Sequence, residues 1–161
     1  MIEINFIDDI QKVNRKIGID FNRLRDMTVP MKQSGVYMIG QNTRNFASES
    51  TPDGVKWKSL SKATIARRKK GKKKHLSDMI LQDTGILKRS ITMRKNIEVT
   101  KDSMVIEAHR KSGNVDIAKV HQLGSKNRKI PKREFLGFSM KNIDMINRIF
   151  IRWAERLLGA R

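Results

Sequence analysis

Apolar side chains recur at helical spacing towards both ends of the chain and in shorter, strand-like runs in its middle. Between residues 6 and 27, Phe6, Ile7, Ile10, Val13, Ile17, Phe21, Leu24 and Met27 fall mostly three or four apart, which lines one face of a helix. Asn5 is placed to cap its first turn, where Asp8 and Asp9 complement the positive end of the dipole. Thr28-Val29-Pro30 breaks that stripe and can start a second helix, continued by Met31, Gly35, Met38, Ile39, Asn42 and Phe46. Residues 1–47 therefore read as a helical pair. Far downstream, Ile143, Ile146, Ile149, Phe150, Trp153 and Leu157 predict a helix over 140–158 with Ser139 as its N-cap.

The region between, 48–139, alternates turn chemistry with short apolar runs. Thr51-Pro52-Asp53-Gly54 suits a type I turn. Ser61 caps a short helix from Lys62 to about Lys69, and RRKKGKKKH follows at 67–75. Thr84-Gly85 reads as a turn into a strand somewhere in Ile86 to Val99, and Lys101-Asp102-Ser103 as the turn of a β-hairpin returning through 104–108. On that second strand Met104, Ile106 and Ala108 would face the core, with Glu107 and His109 facing solvent. Val115 to Leu123 predicts a short helix ended by Gly124, and Pro131 keeps Lys129 to Phe135 extended. At 161 residues the chain is long enough for one self-sufficient core, so residues 1–161 are expected to form a single domain.

Charge changes the picture more than composition does. The formal net charge is +19, yet residues 1–54 carry 7 basic and 7 acidic side chains. Residues 56–74 carry 10 basic and no acidic ones, and residues 110–133 carry 8 basic and 1 acidic. Localised charge of this kind anticipates a negatively charged partner, and three readings stay open: nucleic acid, an acidic protein surface, or a basic face that is only solvated. Arg67, Arg68, Lys69, Lys70, Lys72, Lys73 and Lys74 are the candidate contacts with an anionic partner. Burying them unpaired would cost several kcal/mol per charge, so the run is expected to be an exposed, mobile loop. There are no cysteines, which excludes disulfides, thiolate metal sites and a thiol nucleophile and favours a reducing compartment. No apolar run approaches a membrane span, and the acidic N-terminus is unlike a signal peptide, so no membrane partner is expected.

Catalytic chemistry has few candidates. His75, His109 and His121 share no metal-binding spacing. Asp102, Glu107 and His109 could be cast as a nuclease cluster holding Mg²⁺, but a turn and the solvent face of a strand explain them better. Gly71-Lys72 lacks the remainder of a phosphate-binding loop. The aromatic interleaving of a single-strand stacking platform is missing around the basic run, and no DNA-recognition motif is present. No enzyme activity and no cofactor are expected, and contact with DNA would be sequence-nonspecific.

Four phrases in fixed order carry the most specific signal: SESTPDGVKWKSLSKAT at 48–64, ILQDTGILKRSI at 80–91, IAKVHQLG at 117–124 and IPKREFLGFS at 130–139. Together they make the chain, over about residues 45–158, resemble the phage virion morphogenesis family, the tail completion proteins of Mu-like contractile-tailed phages. Ile117 stands where that family commonly has an aromatic residue. The resemblance implies an α+β fold with a small, mostly antiparallel sheet, packed with N-terminal and C-terminal helices and carrying an extended basic loop. It further implies a structural protein of the virion tail or neck, assembled in the host cytoplasm, that finishes the tail top and permits head–tail joining. The expected partners are copies of itself, as a sixfold ring, and neighbouring tail or neck proteins. A sequence-nonspecific nucleic-acid-binding domain is the alternative. Within the phrases, His121, Gln122, Arg133, Phe135 and Leu136 are the candidate contacts with another subunit or neighbour, because alternation puts Arg133 and Phe135 side by side and such pairs anchor interfaces.

Overall fold

The computed structural model describes residues 21–70 and 78–158. Most of the predicted helix over 6–27 lies outside those residues, as do Lys72, Lys73 and Lys74; Phe21–Arg25 forms a short 3₁₀ turn. The central element is α1, Thr28–Ser48. Pro30 sits in its first turn, where the missing N–H is harmless, and the helix runs unbroken through Gly35 and Gly40. One glycine has a packing reason. A Cβ on Gly35 would lie 2.9 Å from Ile97 Cγ2 and 3.3 Å from Met104 Cγ, whereas one on Gly40 would meet nothing within 4 Å.

After α1, Glu49 turns left-handed (φ 52) and its carboxylate accepts the Ile80 N–H. The Thr51–Gly54 turn forms as predicted, with Gly54 N–H donating to Thr51 O at 2.9 Å. Ser61 caps α2, Lys62–Lys70, through its hydroxyl and the Thr64 N–H. The first half of the basic run is therefore helix rather than loop, with Arg67, Arg68, Lys69 and Lys70 in its last turn.

The predicted strand entry at Gly85 is corrected. Gly85 (φ 70) instead opens a helix, α3, Ile86–Thr92, whose buried positions Leu87, Ser90 and Ile91 have helical spacing. The β-branched side chains of this stretch favour strand locally, but packing of that face against α1 decides the outcome. Only β1, Ile97–Val99, remains extended, and it pairs antiparallel with β2, Met104–Ile106, in the register Ile97↔Ile106, Glu98↔Val105 and Val99↔Met104. Their turn is where the sequence placed it, and Lys101 O accepts the Met27 N–H, tying the hairpin to the start of α1. A second pair, β3, Lys111–Ser112, and β4, Val115–Asp116, is antiparallel too, so the expected sheet is two small sheets. The helix predicted from Val115 begins later: Asp116 caps α4, Ile117–Leu123. Gly124 (φ +79) ends it where a Cβ would lie 2.9 Å from Lys132 N. The last helix, α5, Met140–Leu157, opens with a reciprocal capping box between Ser139 and Asn142. The buried Asn142 also donates to Tyr37 OH at 3.2 Å, linking α5 to α1.

The α+β class holds among the described residues. The core joins Phe46 of α1, Trp57, Ile80, Leu81, Leu87 and Ile91 of the middle region, Ala118 of α4, and Phe135. Phe46 meets Trp57 edge-on at 5.3 Å and Phe135 at 6.0 Å between ring centroids. No helix among the described residues is long and apolar enough to cross a membrane.

Candidate functional site

The four sequence phrases meet in space around one core and one cleft. Trp57 Nε1 donates to Glu134 O at 2.9 Å, pinning the first phrase to the last. Arg133 reinforces that link from the opposite direction, its Nε donating to Lys58 O at 2.8 Å and its Nη2 to Ser59 O at 3.1 Å. The third phrase joins through Gln122, whose Oε1 accepts the N–H groups of Phe135 and Leu136, both at 3.1 Å, while its Nε2 donates to Leu136 O at 2.7 Å. His121 O accepts the Arg133 N–H at 2.8 Å. All five candidate interface residues thus lie together. Their packing is internal, however. Arg133 is 5% and Phe135 1% exposed, so the expected surface pairing of an arginine with an aromatic is corrected: alternation sends both inward. Glu134 points the other way and pairs with Lys132 at 2.7 Å.

Above this scaffold lies an open cleft of about 1540 Å³. That exceeds the roughly 300–1,000 Å³ of small-molecule sites and suits a macromolecular segment. The two basic blocks of the sequence converge on it. Lys58, Arg67 and Arg68 come from the first; Arg110, Lys126, Arg128, Lys129, Lys132 and Arg133 come from the second; among the described residues Asp83 is the single carboxylate in the lining. Local structure explains the placement. Ser125 and Ile130 exchange hydrogen bonds of 2.8 and 2.9 Å across a tight loop, with Lys129 left-handed (φ 51), so Lys126, Arg128 and Lys129 project as one exposed cluster. The floor and lip are apolar, with Leu60, Leu81, Leu87, Ile117, Ile130 and Pro131 lining it and Leu123 62% exposed at its margin.

Three titratable groups sit at the base. Arg68, predicted to be an exposed loop residue, is 8% exposed. It donates to Met79 O at 2.9 Å and lies 3.7 Å from the Asp83 carboxylate. Burial and then the positive field of Arg68 lower the Arg133 pKa. Burial, followed by the charges of Arg133 and Arg68, holds the His121 imidazole below its ordinary value, so His121 is neutral at pH 7. Its Nδ1 is buried without a hydrogen-bond partner. The base of the cleft is a cationic support in which, among the described residues, no carboxylate or hydroxyl pairs with His121. Asp102 is engaged with Thr100 in the hairpin turn, at 2.7 Å, and Glu107 and His109 form an exposed pair at 3.4 Å, away from the cleft.

The linear charge pattern marks both basic blocks but not that Lys58, Arg110, Lys126 and Arg128 share a surface with Arg67, nor the structural duties of Arg68 and Glu49. The signal for the first was the matched charge of the two blocks; nothing in the linear pattern pointed to the second. A model of the phage virion morphogenesis family matches residues 8–155. No curated protein and no solved structure gives a match.

Proposed function

We propose that this chain, which belongs to the phage virion morphogenesis family and so serves in building the phage particle, completes the end of the tail that meets the head, assembling there as a ring of like subunits beside neck proteins. The observation that carries this reading is the convergence of the four phrases. Trp57, Gln122 and Arg133 spend their side-chain hydrogen bonds on the backbone of other phrases, from Lys58 to Leu136, which is what a rigid building block requires. Catalysis instead needs an acid, base or nucleophile presented at reach of a substrate, and the proposed role includes no catalytic step.

In this reading His121, Gln122, Arg133, Phe135 and Leu136 support a subunit or neighbour contact from beneath, by holding the shape of the cleft wall, and the basic side chains above them meet the partner. A DNA-binding role is the alternative supported by charge alone. The test is interruption of the gene in the phage. The expected result is full heads and tails that accumulate unjoined and are rescued by the added protein. Infectious particles at normal yield, or a block in DNA replication instead of assembly, contradicts the role.

A further inference from the structure

We infer that the cleft is a docking site for an acidic polypeptide segment with apolar side chains set between its carboxylates, supplied by a neighbouring protein of the particle. That the neighbour belongs to the particle rests on the function proposed above; the chemistry of the docked segment does not.

Three features select this occupant. Positive charge reaches the cleft from both basic blocks, with Arg67 from one side and Arg110, Lys126 and Arg128 from the other, against Asp83 as the one carboxylate among the described lining residues. A segment of opposite charge is therefore drawn in and oriented by it. Apolar surface comes with the charge: Leu123 is 62% exposed at the margin and is not part of the hydrophobic core, and Ile130 and Pro131 line the same wall. A phosphate backbone gains nothing from these side chains, while a peptide bearing Leu or Ile between its acids covers both kinds of surface at once. Finally, no Trp, Tyr or Phe lines the cleft among the described residues, so they build no stacking platform of the kind on which single-stranded nucleic acid depends.

The experiment uses the full chain and three labelled probes: a peptide of Glu-Leu-Glu-Glu repeats, the same peptide with Ser in place of every Leu, and a short random-sequence DNA duplex. Fluorescence anisotropy at near-physiological salt is expected to show the leucine peptide binding about tenfold more tightly than the serine peptide, the gain from covering apolar side chains, and more tightly than the duplex. The double substitution Lys126→Glu with Arg128→Glu should cost at least about tenfold for the leucine peptide, since it reverses two charges at the wall. Arg94→Glu with Lys95→Glu makes the same change in net charge at exposed positions outside the cleft and should cost little. Leu123→Ser should remove most of the preference for leucine over serine.

Equal affinity for the two peptides, tighter binding of the duplex, or equal losses from the two charge-reversal pairs overturns the inference. Circular dichroism on each variant confirms the fold before binding is compared, and the exposed positions of Leu123, Lys126 and Arg128 make that fold independent of them. The two proposals fail separately. Leucine-peptide binding together with normal particle yield after gene interruption defeats the assembly role alone. Failed peptide binding together with unjoined heads and tails defeats the docking inference alone.

Discussion

Single side chains in this protein do two kinds of work, and Arg133 and His121 mark the difference. Arg133 spends its guanidinium on the backbone of the first phrase, so its removal is a stability event before it is an assembly event. Arg133→Met keeps most of the stem but withdraws the donors from Lys58 O and Ser59 O. Hydrogen bonds from a charged donor contribute about 1.5–3 kcal/mol each at most; the expected loss is about 2 kcal/mol, seen as a lower urea midpoint at unchanged slope. Arg133→Glu should be worse, because it buries an anion facing two carbonyls; an unchanged midpoint for either variant contradicts the bracing role. His121 acts through protonation. Its pKa is lowered on folding from an ordinary 6.5 by burial and by Arg133 and Arg68, so the unfolded chain binds the proton more readily. Stability from this residue is therefore complete above about pH 6.5 and declines as pH falls through the lowered value. His121→Gln should flatten the melting temperature against pH below 6.5 relative to wild type; parallel profiles would show that His121 does not contribute.

Elements are positioned by a few close approaches, among them that of α1 to the β1–β2 hairpin at Gly35. Gly35→Ala places a methyl 2.9 Å from Ile97 Cγ2 and should destabilise by about 1–3 kcal/mol through overpacking. Gly40→Ala, in the same helix with open space around it, should stabilise by about 0.5–1 kcal/mol. Opposite shifts of the two thermal midpoints are the expected signature, and shifts of the same sign contradict the packing. This contrast also shows what was legible in the sequence. Periodicity and caps announced α1, α2, α4 and α5, because Ser61 and Ser139 signal helix starts locally and the α5 stripe is sustained over many turns. Residues 86–92 misled: Ile86, Ile91 and Thr92 favour a strand locally, and only contact with α1 makes them a helix. The candidate site was half legible for the same reason. Phrases and charge blocks are one-dimensional features, whereas the inward turn of Arg133 and Phe135 and the burial of Arg68 follow from long-range contacts to Lys58, Met79 and the aromatic core.

At the scale of the whole molecule, the formal charge of +19 per copy means that closing the proposed ring would bring like charges together. Screening shortens their reach from about 30 Å at 0.01 M salt to about 8 Å at 0.15 M. Sedimentation should therefore show self-association strengthening over that range, and weakening over it would indicate subunits held mainly by exposed ion pairs. Added acidic–apolar peptide should shift association in the same direction as salt, by neutralising the cleft. The most direct measurement is cryo-electron microscopy of the assembled particle with this chain located in the density. The expected density is a ring of copies at the head-proximal end of the tail, with the cleft wall of Lys126 and Arg128 against an acidic segment of a neighbouring protein. A particle in which the chain is absent, or lies elsewhere with that cleft open to solvent, would contradict it.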